Sequence, residues 1–367
     1  MIVMIVCCAP SPSPIAIHKN KYAISSGSAI RPTGISFIHS FLISIESTPK
    51  SFISNQNFDI PEIILPSINV EQIIEQERVE RQSSQIKPYK FAETISVDLN
   101  MNNAGNWIVL EDGTSVWQLK ITSYDAYSLN LIYDIFHIPS GAEFFIYSED
   151  RTMVIGAFTD SNHKPHGGFS TAPVKGETVI LEYNQPANPD FIGEISISSI
   201  AHDYTNIFSK NSSRGYGDSG SCNNNANCPE GDNWQDQISS VAMITTAGGS
   251  RLCTGSLINN TEQDLTPYFL TANHCLGGQN SWVFIFNYES PGCTNQDGPL
   301  SYSVSGSTLL ANSSGSDFAL LELSQSIPED YNVYYSGWDV TGNTPNTPVC
   351  IHHPSGDIKK ITFDYDN

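Results

Sequence analysis

The chain has 367 residues, enough for two or three domains, with 39% hydrophobic and only 15% charged residues. Its 38 acidic side chains against 17 basic ones give a formal charge of −21, a surface that repels nucleic acid and anionic membranes. Abundant Ser, Thr, Asn and β-branched residues favour an extracellular β-rich protein over a helical cytosolic one.

Residues 1–46 read as a leader. "MIVMIVCC" is apolar but short, and Pro10, Pro12 and Pro14 follow at once. A second apolar run at 35–45, after Arg31, has two readings: the hydrophobic part of a degraded signal peptide behind a misplaced start codon, or a disordered leader. No segment reaches the roughly 20 apolar residues of a transmembrane helix. Residues 47–87 form an extended pro-segment with one short amphipathic helix near 69–82.

From 88 to 205 the pattern turns to β. "SVWQLKI" alternates, and "EFFIYSED", "TMVIGAF", "ETVILEY" and "GEISISSI" follow as short strands between Gly, Pro, Asp or Asn turns. Strands at this spacing predict a β-sandwich. His163 and His166 in "NHKPHGG" are a poor ligand set by themselves and are expected in a solvated loop, so no metal or other cofactor is expected. Residues 206–221 are the best linker in the chain, with Lys210 and Arg214 as candidate cleavage points.

A second β-rich unit spans 222–340. "SSVAMITT", "CTGSLI", "YFLTA", "WVFIFNYE", "GSTLLAN" and "FALLEL" read as strands, predicting a Greek-key barrel or sandwich. Six of the eight cysteines lie between 222 and 350 with no paired Cys-x-x-Cys, which favours disulfides over metal. Residues 341–367 begin a further unit.

Two motifs in this half carry chemistry. In "CTGSLINN…TPYFLTANHC" a strand ends on Thr-Ala-Asn-His-Cys, and in "SGSDFALLEL" an Asp opens an apolar strand. They resemble the regions of chymotrypsin-fold serine proteases that hold the general base and its orienting carboxylate. His274 would take the proton from a nucleophile, and Asp317 would fix its tautomer and stabilise the imidazolium. Taken with "SGSCNNNANCPEGD", "GWD" and "IHHPSGDIKKI", the order of motifs across 219–361 more closely resembles bacterial lysyl endopeptidases, and 88–205 resembles their β-rich pro-segment.

The resemblance implies an all-β chain: a sandwich-like pro-domain, then the first Greek-key barrel of a chymotrypsin-like protease, with the second barrel mostly missing. It implies disulfides Cys253–Cys275 and Cys228–Cys293, with Cys222 paired far downstream. Cys350 departs from the pattern, and a Cys222–Cys350 bond in this chain stays open. It makes Gly217 the start of the mature unit, so the Gly-Asp-Ser-Gly at 217–220 marks an activation boundary. Ser219 precedes both His274 and Asp317, an order no familiar serine triad shows. His352 and His353 are either packing residues or a wall of the substrate cleft.

No Gly-x-Ser-Gly occurs after Asp317. The nucleophile and oxyanion donors are therefore expected outside this chain, which reads as a truncated, inactive frame. No Lys lies between Lys210 and Lys359, either because a Lys-cutting protease avoids its own sites or because acidic secreted proteins are poor in Lys. The functional expectation is a secreted, monomeric serine endopeptidase zymogen acting on peptide bonds after Lys or Arg, its pro-domain bound intramolecularly. The competing expectation is a non-enzymatic secreted binding or adhesion protein with a degenerate protease barrel.

Overall fold

The computed structural model describes residues 26–27, 47–82, 89–208, 219–220, 223–339 and 348–364. The chain is predominantly β and divides into two compact units. Among the described residues one unit takes 47–73 and 92–206, and the other takes the remainder. Residues 47–82 are thus divided, 47–73 going with the first unit and 74–82 with the second.

In the first unit the alternating residues build two sheets over a common core. The first sheet runs Phe169–Ser170, Ser128–His137, Glu194–Asp203, Ala92–Asn100, with Val174–Lys175 also on Ser128–His137. The second runs Glu62–Ile64, Ser115–Thr122, Thr178–Gln185, Glu143–Ser148, Val154–Phe158, with Asn106–Val109 beside Ser115–Thr122. Leu131, Tyr133, Ile197 and Ile200 from the first meet Trp117, Phe144, Leu181 and Tyr183 from the second in one buried cluster. This is the expected β-sandwich. Its Trp117 is fully buried and donates its indole N–H to the Ala104 carbonyl at 2.9 Å. A Cβ at Gly105 would collide with that indole, and φ there is +80°, so both space and backbone require glycine.

Residues 47–82 are less extended than their sequence reads. Helix Lys50–Ile53 and strand Glu62–Ile64 both form, and the strand adds in parallel to Ser115–Thr122. The expected amphipathic helix forms as Val70–Gln82.

In the second unit the main sheet is ordered Ser303–Ser305, Val283–Ile285, Val241–Thr246, Ser250–Ile258, Tyr268–Thr271, Phe318–Leu323, Ser307–Ser313. The two outermost strands are neighbours in the chain, separated only by Gly306 at φ +78°. The sheet is therefore rolled toward itself into a half-barrel around Ile244, Leu257, Phe269, Phe284 and Leu321. Gly255 of "CTGSLI" has no room for a side chain, since a Cβ there would meet the Phe269 ring and the Leu270 carbonyl. Tyr89–Lys90 adds a short strand beside Ser250 and Arg251.

A smaller sheet, Asn224–Asn225, Lys360–Phe363, Val349–His352, packs its Val349, Ile351 and Ile361 with Ile238 and Val241. Two disulfides brace this unit: Cys228–Cys293, 65 residues apart, and Cys253–Cys275, 22 apart. Loop-closure entropy gives about 4 and about 3 kcal/mol for the two.

Candidate active site

Antiparallel pairing brings His274 and Asp317 together. Tyr268–Thr271 pairs with Phe318–Leu323 so that Thr271 lies opposite Ala319. His274 follows the end of the first strand by three residues, and Asp317 precedes the start of the second. Both therefore emerge at the same end of one strand pair. The Asn273–Cys275 turn then closes onto Asp317, whose carbonyl accepts the Asn273 N–H at 3.2 Å.

The Asp317 carboxylate is used twice by one residue. Oδ1 accepts the His274 backbone N–H at 2.9 Å, and Oδ2 lies 2.6 Å from His274 Nδ1. With Nδ1–H donated to the carboxylate, Nε2 is left as the proton-accepting nitrogen of a neutral imidazole. Asp317 holds a left-handed backbone, φ +49°, which Asp tolerates better than most residues and which turns its carboxylate back toward the histidine. Both side chains are about half exposed, 51% for His274 and 47% for Asp317. Solvent therefore screens their attraction.

The surroundings hold the turn from three sides. Cys253 on strand Ser250–Ile258 is bonded to Cys275, next to the histidine. Asn312 Nδ2 donates to Asn273 Oδ1 at 2.7 Å, tying strand Ser307–Ser313 to the same turn. Below it, the Thr271 hydroxyl donates to the Thr254 carbonyl at 2.9 Å, and the Thr254 hydroxyl accepts the His353 N–H at 3.0 Å. The clustered Cys253, His274 and Cys275 are metal-type ligands by residue type, but the two sulfurs are bonded to each other.

Residues 216–367, which contain this arrangement, match the family model for the lysyl endopeptidase C-terminal domain. A lysyl endopeptidase of Pseudomonas aeruginosa is 29% identical over 212 residues, 52% of this chain and 44% of that protein. The chain is lysyl endopeptidase-like. It spans less than half the length of that relative.

Other residues singled out in the sequence fall as follows. Lys210, Arg214, Gly217 and Cys222 lie outside the described residues. His163 and His166 are exposed, as a solvated loop requires, yet Lys164 between them is buried with its ammonium 5.3 Å from the Phe169 ring centre. Burial lowers its pKa to about 7. His353 is buried, with Nδ1 2.9 Å from the Asp357 carbonyl oxygen and its ring stacked on Tyr288. It is a packing residue of the lysyl endopeptidase-like unit. His352 Nε2 lies 3.0 Å from Asn223 Oδ1, close to the start of that unit.

Sequence reasoning missed Asn273 and Asn312. They are 39 positions apart, and only the register of strand Ser307–Ser313 against Phe318–Leu323 makes them neighbours. It also missed the interior role of the "DIKK" tetrapeptide, because lysines at a strand start read as exposed.

Proposed function

We propose that this chain is the pro-domain and first barrel of a secreted serine endopeptidase zymogen that cuts peptide bonds after Lys. The observation that carries the reading is the two-fold attachment of His274 to Asp317 at the end of a strand pair. In this reading Asp317 holds the Nδ1–H tautomer and steadies the imidazolium. Nε2 takes the proton from the attacking serine and returns it to the leaving amine. The substrate is a protein or peptide, and the two disulfides suit an oxidising compartment. The family match over 216–367 supports a boundary between pro-domain and catalytic unit within the 206–221 linker.

The serine that would complete the triad is not among residues 318–367 in a Gly-x-Ser-Gly setting. We assign the role of nucleophile to no serine among these 367 residues, and only the base and its orienting carboxylate to this site. Fluorophosphonate labelling followed by peptide mapping tests this. The expected result is no modified serine. A specifically modified serine, Ser219 included, would overturn the assignment of the nucleophile.

A further inference from the structure

Residues 219–367 contain two lysines, Lys359 and Lys360, and both side chains are inside the protein, at 0% and 2% exposure. Lysine is almost never fully buried unless its ammonium is paired, and here each has its own polar nest. Lys359 Nζ donates to the Ile238 carbonyl and to Glu289 Oε2, both at 2.9 Å. Lys360 Nζ donates to Asn225 Oδ1 at 2.5 Å and Asn295 Oδ1 at 3.1 Å, with Asp357 Oδ2 at 3.5 Å.

Their backbone is equally enclosed. Lys359 donates its N–H to the Tyr288 carbonyl and accepts the Ala226 N–H. Lys360 begins the central strand of the small sheet, with Asn225 on one side and His352 on the other. A protease needs several residues in extended form, free of other partners, plus the side chain before the scissile bond inserted in a pocket. Neither lysine offers its ammonium or its peptide bond without opening a three-stranded sheet.

We propose that the lysyl endopeptidase-like unit is built to resist cleavage by an enzyme of its own type, by withdrawing both lysines into polar nests of the small sheet. The inference rests on the proposed Lys specificity for its meaning, but its geometry does not. Cleavage at either site follows the population of an opened state, so it is slow wherever opening is rare.

The test supplies the protease from outside. The native 367-residue chain is incubated with a separately purified Lys-specific endopeptidase, and the products are mapped by mass. A variant, Glu262→Lys, places a lysine in the exposed loop between strands Ser250–Ile258 and Tyr268–Thr271 of the same unit. The expected result is cleavage after position 262 at least about 100-fold faster than after Lys359 or Lys360, as required for cutting through a rare open state. Cleavage of the unsubstituted chain after Lys359 or Lys360 at a rate comparable to that after position 262 overturns the proposal. So does resistance at position 262, since the whole unit would then be resistant wherever its lysines lay. Neither outcome depends on whether this protein itself cuts after Lys, which is read separately from the cleavage pattern of an active form.

Discussion

Two carboxylates, one in each unit, show how differently the same group is used. Glu182 of the sandwich is fully buried and accepts from the Ser51 N–H at 3.1 Å, Gln118 Nε2 at 2.9 Å and the Tyr147 hydroxyl at 3.1 Å. Three chain segments, near 51, 118 and 147, are seated by one side chain. Burial, and then the Glu182 charge beside it, push the Tyr147 phenol pKa up. Asp317 of the half-barrel is about half exposed, and its two hydrogen bonds go to a single residue. The first arrangement stabilises a fold, because the buried carboxylate is the shared acceptor of a network that also links Gln118, Tyr147 and Ser51 to one another. The second lies open to solvent, where it does little for stability, and spends both carboxylate oxygens on one exposed histidine. Placement, rather than residue type, separates a carboxylate that seats three chain segments from one that orients a single exposed histidine.

The comparison is broken most forcefully at Glu182. Replacing Glu182→Ala removes the shared acceptor of the Ser51 N–H, the Gln118 amide and the Tyr147 hydroxyl and leaves a cavity in their place, and should destabilise the sandwich by about 3 kcal/mol or more. Urea unfolding followed by tryptophan fluorescence measures this, since Trp117 lies in the adjoining core. A loss under about 1 kcal/mol would show that the network is replaceable by water, and the contrast with Asp317 would fall.

Much of this was legible in the sequence. Strands such as Ser115–Thr122 and Phe318–Leu323 announce themselves by alternation, and their bounds lie within a residue of the reading. His274 and Asp317 were legible because each sits at a strand end that a motif marks. What was hidden depends on register across long separations. Glu182 lies in "ETVILEY", where it looks like an outward-facing residue of a half-exposed strand. The strand instead has Ser115–Thr122 and Glu143–Ser148 on its two sides, and helix Lys50–Ile53 covers the face that Glu182 occupies. Strand Glu62–Ile64 was illegible for a related reason. It is short, follows a proline, and is fixed by parallel pairing with a strand more than fifty residues away. Lys359 and Lys360 were hidden because burial of a charge cannot be inferred without seeing its acceptors.

A gentler break concerns pH and again separates the units. His202 of the sandwich is buried, with Nδ1 2.7 Å from the Ser123 hydroxyl. Desolvation lowers its pKa below 6.5, opposed by the nearby charges of Asp203 and Asp125. A base whose folded pKa is depressed binds its proton more readily when unfolded. The sandwich is therefore at full stability above the unfolded value and loses stability as pH falls below it. Unfolding of the full chain between pH 7.5 and 5 should show this decline, and His202→Gln should flatten it. An unchanged slope in that variant would assign the acid sensitivity to other groups.

The smallest effect on stability, and the sharpest on chemistry, is expected at Asp317→Asn. Exposed ion pairs contribute about 1 kcal/mol or less, so the fold should barely respond. The tautomer should respond fully. The single amide oxygen can keep the His274 backbone N–H, which leaves the NH₂ group facing Nδ1. Nδ1 must then accept, and the ring proton moves to Nε2, the nitrogen a general base needs free. Imidazole ¹⁵N shifts of His274 read this directly: Nδ1–H in the parent chain, Nε2–H in the variant. A parent chain already in the Nε2–H form would mean that Asp317 does not set the tautomer, whatever the distance between them. Because the readout is spectroscopic, it tests the half of the catalytic machinery proposed for this chain without requiring the nucleophile.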